Sequence, residues 1–345
     1  SKILYEQLEK KNAFEPAAYL DVEQNLSKNI SLSYGMRYSL FYRLGTSNVN
    51  TYANNNPVVF NQDQQIYEKA TPTGSTYYGK NKTIETYNNF EPRASIAYQI
   101  NDNQSVKASY NRMVQYLQLL SNTSSPTPLD VWTPSDEFIK PQIADQVAIG
   151  YFKNFKDDMY SLEAEAFYKT IKNRIDYIDG ANLIANEAIE QVILNGRMRS
   201  YGLELMLRKN EGKLTGWISY TLSKSQQQTP GRNASETGIN NGEWYNSLYD
   251  KTHNLAITSS YTLNKKWSFG ANFALQTGQP VTYPTAYYEY QNINVPSYGL
   301  RNENRLPLYH HLDISATLTP HKNANRNWKG EWVFSIYNLY GRKNA

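Results

Sequence analysis

Cysteine is absent from the 345 residues. That excludes a disulfide scaffold, a thiolate metal site and a thiol nucleophile, without fixing the compartment. No run of 18 apolar residues occurs, so no helix can cross a membrane. No basic stretch leading into an apolar run opens the sequence, so the pattern of a secretory signal peptide is not there. An excess of charge of one sign is missing too. The 35 Lys and Arg against 31 Asp and Glu leave a net +4, too small and too evenly mixed for a nucleic-acid surface. Apolar residues are sparse at 40%, with a mean hydropathy of −0.69. What is abundant is tyrosine, 30 residues beside 11 Phe and 6 Trp, together with 38 asparagines. So much Tyr, Asn, Thr and Ser does not suit an ordinary two-layer core. It suits a sheet with one wet face and a thin apolar face girdled by aromatics.

The hydrophobic period is 2, over segment after segment. Tyr201, Leu203, Leu205 and Leu207 alternate with Gly202, Glu204, Met206 and Arg208. After a short turn, Leu214, Gly216, Ile218, Tyr220 and Leu222 alternate with Thr215, Trp217, Ser219, Thr221 and Ser223. Alternation of this kind gives a strand one apolar and one polar face. Twelve strands are predicted near 16–26, 29–44, 89–100, 104–116, 142–154, 158–177, 196–209, 213–225, 250–263, 266–277, 308–319 and 330–341. Their connections alternate between short turns, such as Lys156-Asp157-Asp158, and long polar stretches near 45–88, 117–141, 178–195, 226–249 and 278–307. Loops beyond about 12–15 residues are uncommon in compact soluble domains. Short turns on one rim and long loops on the other is the layout of an outer-membrane barrel, with the long loops extracellular. The strand lengths agree, since a tilted strand needs about 9–11 residues to cross the hydrocarbon. Charged side chains on these strands, among them Arg37, Lys107, Glu163, Glu165, Glu204 and Arg208, are therefore expected on the lumen side. Apolar spacing within Ala181 to Leu194 predicts a short amphipathic helix, and Ile3 to Phe14 is a second helical candidate.

Several stretches, in order, carry a resemblance to one known family. They begin with Ala17-Ala18-Tyr19-Leu20 leading to Tyr34-Gly35-Met36-Arg37-Tyr38, then Phe90-Glu91-Pro92-Arg93. Phe138-Ile139-Lys140-Pro141-Gln142 and Gly150-Tyr151 follow. Next come Tyr201-Gly202-Leu203-Glu204 and Gly216-Trp217-Ile218-Ser219-Tyr220-Thr221. Asp250-Lys251-Thr252-His253, Gly278-Gln279-Pro280, Asn304-Arg305-Leu306-Pro307 and Tyr337-Asn338-Leu339 complete the series. Together these stretches resemble the barrel of a TonB-dependent outer-membrane transporter. The resemblance implies an all-β fold: residues 1–345 as the C-terminal portion of an antiparallel transmembrane barrel, about twelve strands of 22. It also implies an N-terminal plug and a final strand outside this sequence. The implied location is the outer membrane, in contact with its lipid. The implied partners are TonB, ExbB and ExbD, acting through the plug, and a small scarce solute. A surface lipoprotein lid, as in the SusC-type branch, is left open, as is the solute: glycan, peptide, haem, siderophore-iron or cobalamin.

No cofactor and no catalytic group is expected. His253, His310, His311 and His321 lack the spacing of a metal site, and no nucleophile elbow occurs. The candidates for solute contact are the aromatics of the long loops: Trp132, Trp244, Tyr245, Tyr283, Tyr287, Tyr288 and Tyr290. Aromatic faces accept sugar rings, porphyrins and aromatic chelators. A complete twelve-stranded barrel, acting as a passive pore or a lipase-type enzyme, is the rival reading. A soluble carbohydrate-binding β-protein is a third, disfavoured by strand length and loop asymmetry.

Overall fold

The computed structural model describes residues 9–121, 131–183, 186, 188–320 and 330–344. One antiparallel sheet dominates. Its wall strands, in chain order, are β1 (Ala17–Asn25), β2 (Ile30–Leu44), β3 (Thr83–Asn101), β4 (Gln104–Gln115), β5 (Gln142–Phe155) and β6 (Tyr160–Tyr177). They continue with β7 (Ile193–Lys209), β8 (Leu214–Gln228), β9 (His253–Thr262), β10 (Trp267–Gln276), β11 (Tyr309–Leu318) and β12 (Trp332–Ile336). Each pairs with its neighbour in sequence, and a short piece at Asn12–Phe14 extends β1 along β2. Among the described residues no ladder joins β1 to β12.

Turn chemistry sets the short rim. Lys156, Asp157 and Asp158 all adopt positive φ, the left-handed region that Asp tolerates better than most residues. At the turn before β10, Asn264 accepts the N–H groups of Lys266 and Trp267 through its side-chain oxygen, at 2.8 and 3.0 Å. Asn101 does the same for Asn103 at 3.0 Å. These are local Asx contacts that close a tight turn. Pro92 interrupts nothing: it sits where β3 stops pairing with β4, whose ladder begins at Arg93 opposite Asn111. A residue without an N–H is tolerated at such a break.

Register carries the two faces around the sheet. Ala164 lies opposite Leu205, Leu205 opposite Tyr220, Tyr220 opposite Leu255, and Leu255 opposite Leu275. Glu165 lies opposite Glu204, Glu204 opposite Thr221, and Thr221 opposite Asn254. A one-residue slip at any ladder would exchange the faces, and none occurs along β7 and β8. The apolar face is uncovered: Val147 and Ile149 are about half exposed, and Leu203, Leu207, Ile218 and Leu222 are exposed as well.

The buried apolar cluster is elsewhere. It gathers Val58, Tyr67, Leu120, Ile139, Ile175, Ile178, Leu183, Ile189, Val192, Ile193, Leu194, Ile239 and Tyr245, all from the long connections or the strand ends beside them. The long connections are not irregular. They hold the hairpins Ser47–Thr51 with Gly74–Tyr78, Val58–Asn61 with Ile66–Lys69, Leu117–Leu120 with Val131–Pro134, and Pro284–Tyr290 with Ile293–Tyr298.

Three expectations need correction. The helix over Ala181 to Leu194 is absent among the described residues: a single 3-10 turn, Ile189–Val192, runs directly into β7. Its apolar spacing arises because Ile189 and Val192 are buried in the loop cluster while Ile193 and Leu194 already belong to a strand. In the second helical candidate Asn12–Phe14 is strand, and Ile3 lies outside the described residues. The last wall strand is also shorter than 330–341, because Asn338 takes a positive φ and a turn replaces it after Ile336.

Candidate functional site

The long connections meet over one end of the sheet and pin each other by polar contacts. Tyr52 donates its hydroxyl to Glu190 at 2.7 Å, and Asn50 donates to the same carboxylate at 3.2 Å. Gln191 donates to the Ala70 carbonyl at 2.7 Å. Arg232 donates to the Val58 carbonyl at 2.7 Å and pairs with Glu236, also at 2.7 Å. The 278–307 connection is fastened twice. Asn240 and the Arg301 backbone exchange hydrogen bonds at 2.9 and 2.8 Å, and Asn246 and Asn302 exchange a second pair. At its root, Gly278 lets two backbones close: a Cβ there would come within 1.7 Å of the Leu306 carbonyl.

Beneath this layer lies a buried polar network. Asp176, at the end of β6, accepts from Tyr245, from Thr229 at 3.2 Å and from Arg301 at 2.7 Å. Arg301 also pairs with Asp179 and donates to the Tyr177 carbonyl at 2.7 Å. Burial works against the Arg301 charge, and Asp176 and Asp179 overcome it, so its pKa is raised. Burial, then Asp176, pushes the Tyr245 phenol well above its ordinary value, keeping it a neutral donor. A second anchor joins Arg305 to the fully buried Asp250, which also accepts the Ser225 N–H at 2.5 Å. Buried ion pairs fully hydrogen-bonded in this way fix geometry more than they add stability.

At the other side of the layer, Asp136 is half-buried and accepts the N–H groups of Phe138 and Ile139 at 3.0 and 2.8 Å. Burial holds its pKa above the usual carboxylate range. Nearby on the polar face, Ser39 donates to Glu91 at 2.8 Å and meets the Tyr116 hydroxyl at the same distance, while Phe41 stacks on Tyr116 at 4.8 Å.

The aromatics expected to meet solute fall into three settings. Trp132, 60% exposed, rides on the Val131–Pro134 strand. Tyr283, Tyr287, Tyr288 and Tyr290 are all exposed on or beside the Pro284–Tyr290 hairpin strand. Alternation splits them: Tyr288 and Tyr290 share a face with Val295 and Ile293, and Tyr287 shares the other with Pro296. Trp244 and Tyr245 part company for the same reason. Tyr245 pairs with Gln227 and turns into the buried network, 7% exposed, so it presents no open face. Trp244 turns to the apolar-face side, under the Arg199 guanidinium at 4.0 Å. Sequence reading missed Asp176, Arg301, Asp250 and Arg305. Their signal is weak, since each is one charge in a polar stretch, and only the Asp250 and Asn304-Arg305 motifs hinted at it. His321 lies outside the described residues, and those residues hold no cluster of three or more metal-ligating side chains.

Comparison with known proteins gives the relatives. The ferric-catecholate import receptor Fiu of E. coli K12, in its closed form, superposes with a TM-score of 0.60 at 16% identity, over 96% of this chain and 41% of that one. The siderophore receptor PiuA of Acinetobacter baumannii gives 0.60 at 16%, over 96% and 40%. The ferripyoverdine receptor of Pseudomonas aeruginosa gives 0.56 at 13%, over 96% and 35%. At such identities the likeness is one of fold, and the chain spans about two-fifths of the length of these receptors. No curated protein matches. The sequence model of the family described as "TonB dependent receptor-like, beta-barrel" matches residues 5–339. The apolar face is therefore the lipid face of an outer-membrane β-barrel wall, and the chain belongs to the TonB-dependent receptor-like β-barrel family.

Proposed function

We propose that this chain is the loop-bearing part of the barrel of a receptor that binds a scarce solute outside the cell and imports it with TonB-coupled energy. The observation that carries this is the interlocked loop layer. Four connections share one apolar cluster, and the fifth, 278–307, is tied to the wall and its neighbours by Arg301–Asp176 and Arg305–Asp250. Loops that pin one another hold an outer face pre-organised, which lowers the ordering cost of binding a solute. Trp132 and the hairpin tyrosines Tyr283, Tyr287, Tyr288 and Tyr290 are among the exposed aromatics of the long connections, and they are the surfaces proposed to meet solute. Fiu is an import receptor for ferric catecholates and the Pseudomonas protein is one for ferripyoverdine, so a ferric chelate is the first solute to try. The partners proposed with it are TonB, ExbB and ExbD, through a plug, with a lipoprotein lid as a further partner to look for.

The test is uptake of radioactive iron, offered as a ferric catecholate, by cells expressing the full receptor that contains this chain. Uptake should vanish when TonB is deleted. It should fall about tenfold when Tyr287, Tyr288 and Tyr290 are all changed to alanine, as expected for the loss of anchor contacts. Uptake that persists without TonB would mean a passive pore.

A further inference from the structure

On the lipid side of β6, β7 and β8 the apolar band ends abruptly. Leu162, Ala164 and Ala166 lie opposite Leu207, Leu205 and Leu203, which lie opposite Ile218, Tyr220 and Leu222. Stacked aromatics bound this band: Phe155 on Tyr160 toward the short turns, Tyr168 on Tyr201 toward the loops. Tyr160 through Tyr168 is nine residues, close to the roughly 9–11 that a tilted strand needs to cross the hydrocarbon. Directly beyond the upper pair the same outward positions become basic. Lys224 lies opposite Tyr201, and Arg197 lies opposite both Lys172 and Gln228, with Arg199 beside it opposite Gln226. The outward positions of these three strands contain no Asp or Glu, while their lumen side carries Glu163, Glu165 and Glu204.

None of the four cations is within ion-pairing distance of a carboxylate among the described residues, although Lys172 feels Asp145, on β5 opposite Thr170, at longer range. Arg112, on the same face but two strands away, is held by Asp145 at 2.7 Å. The two guanidiniums are instead set by neutral groups. Trp244 lies under Arg199 at 4.0 Å and near Arg197 at 5.5 Å. The Gln226 side-chain oxygen accepts Arg199 Nε and Nη2 at 3.1 and 2.8 Å, and that of Gln228 accepts Arg197 Nε at 2.8 Å. An indole and two amides orient the charge without neutralising it, and a planar guanidinium fixed this way matches a phosphate in bidentate fashion.

We propose that Lys172, Arg197, Arg199 and Lys224 form a site on the outer wall for the phosphate-bearing head group of a lipid in the outward leaflet. The acyl chains then lie along the Leu203, Leu205 and Ile218 face below, with the tyrosine pair at the boundary. The shared chemistry is phosphate, and the position at the end of the apolar band selects a lipid over a free ion. The site is separate from the loop surface proposed to bind solute.

The experiment uses the full receptor in a neutral detergent. Phosphatidic acid, phosphatidylcholine or inorganic phosphate is added, and bound lipid is counted by native mass spectrometry. Phosphatidic acid should be retained at least tenfold better than phosphatidylcholine, and inorganic phosphate at millimolar concentration should displace little of it. Each of Lys172→Gln, Arg197→Gln, Arg199→Gln and Lys224→Gln should weaken retention roughly fivefold, and the quadruple variant should abolish it. Lys169→Gln, on the lumen side, should leave it unchanged. Heat-modifiability of each variant confirms that the barrel is intact, and the single variants carry the test should the quadruple one fail to fold. Equal retention by wild type and the single variants, equal retention of the two lipids, or ready displacement by inorganic phosphate would overturn the lipid site.

Discussion

At the residue scale, buried charge decides what the loops can tolerate. Asp136 has its pKa raised by burial, so folding favours its protonated form. The sign follows: its contribution to stability is fully present below about 3.8, the unfolded value, and is lost as pH rises through the higher folded value. Its two backbone donors, Phe138 and Ile139, remain satisfied by any side chain with an acceptor oxygen there. Asp136→Asn should therefore hold or gain about 1 kcal/mol at neutral pH. Asp136→Ala should lose about 1 kcal/mol, because the N–H groups of Phe138 and the buried Ile139 lose their acceptor. Protease protection of the 117–141 connection in the intact receptor, followed across pH, checks both. Tyr245→Phe removes one of the donors to Asp176 and leaves Thr229 and Arg301 in place, so a loss of about 1–2 kcal/mol is expected. Asp176→Ala, which takes the acceptor from Tyr245 and Thr229 and leaves Arg301 only the exposed Asp179 and the Tyr177 carbonyl, should cost more, about 3 kcal/mol. Hydrogen exchange in residues 226–249 reads the difference.

Faces are the property that the elements carry, and register fixes them. Leu205 lies opposite Ala164 and Tyr220 in the middle of the lipid band, and Glu204 lies opposite Glu165 and Thr221 on the wet side. Leu205→Arg should cost about 2–4 kcal/mol and visibly reduce the heat-modifiable fraction, while Glu204→Arg should be mild. Equal loss from both substitutions would mean that the register is displaced by one residue. The wall was legible in the sequence for a physical reason. A face in lipid and a face in water impose a period of 2 on every strand, and Asn and Asp mark the short turns. The loop layer was not legible. The strands of its hairpins are four to seven residues long, too short for a period to register. Packing among loops also imposes no fixed spacing, which is why the residues around Ile189 and Val192 mimicked a helix. Trp244 and Tyr245 show the same limit: both sit in a long connection, and only the pairing with β8 reveals that one goes out and the other in.

For the whole molecule, the sheet runs from β1 to β12 with no ladder between them among the described residues. A wall in lipid cannot leave a row of backbone N–H and C=O groups unpaired, since each costs several kcal/mol there. Residues 1–345 refolded alone in detergent should therefore give no SDS-resistant, protease-resistant monomer. A resistant monomer would favour a complete twelve-stranded barrel. The central claim is the orientation of the wall, with the long loops facing out of the cell and the short turns facing in. It is tested most directly by single cysteines in the full receptor, which the absence of native cysteine in this chain makes clean. Cysteines at Thr73 and Gln291, both exposed in long connections, should react with an impermeant maleimide on whole cells. Cysteines at Asp102, Asp157 and Lys265, in the short turns, should react only after the cells are opened. Labelling of both sets on intact cells, or of the short turns alone, would contradict the account.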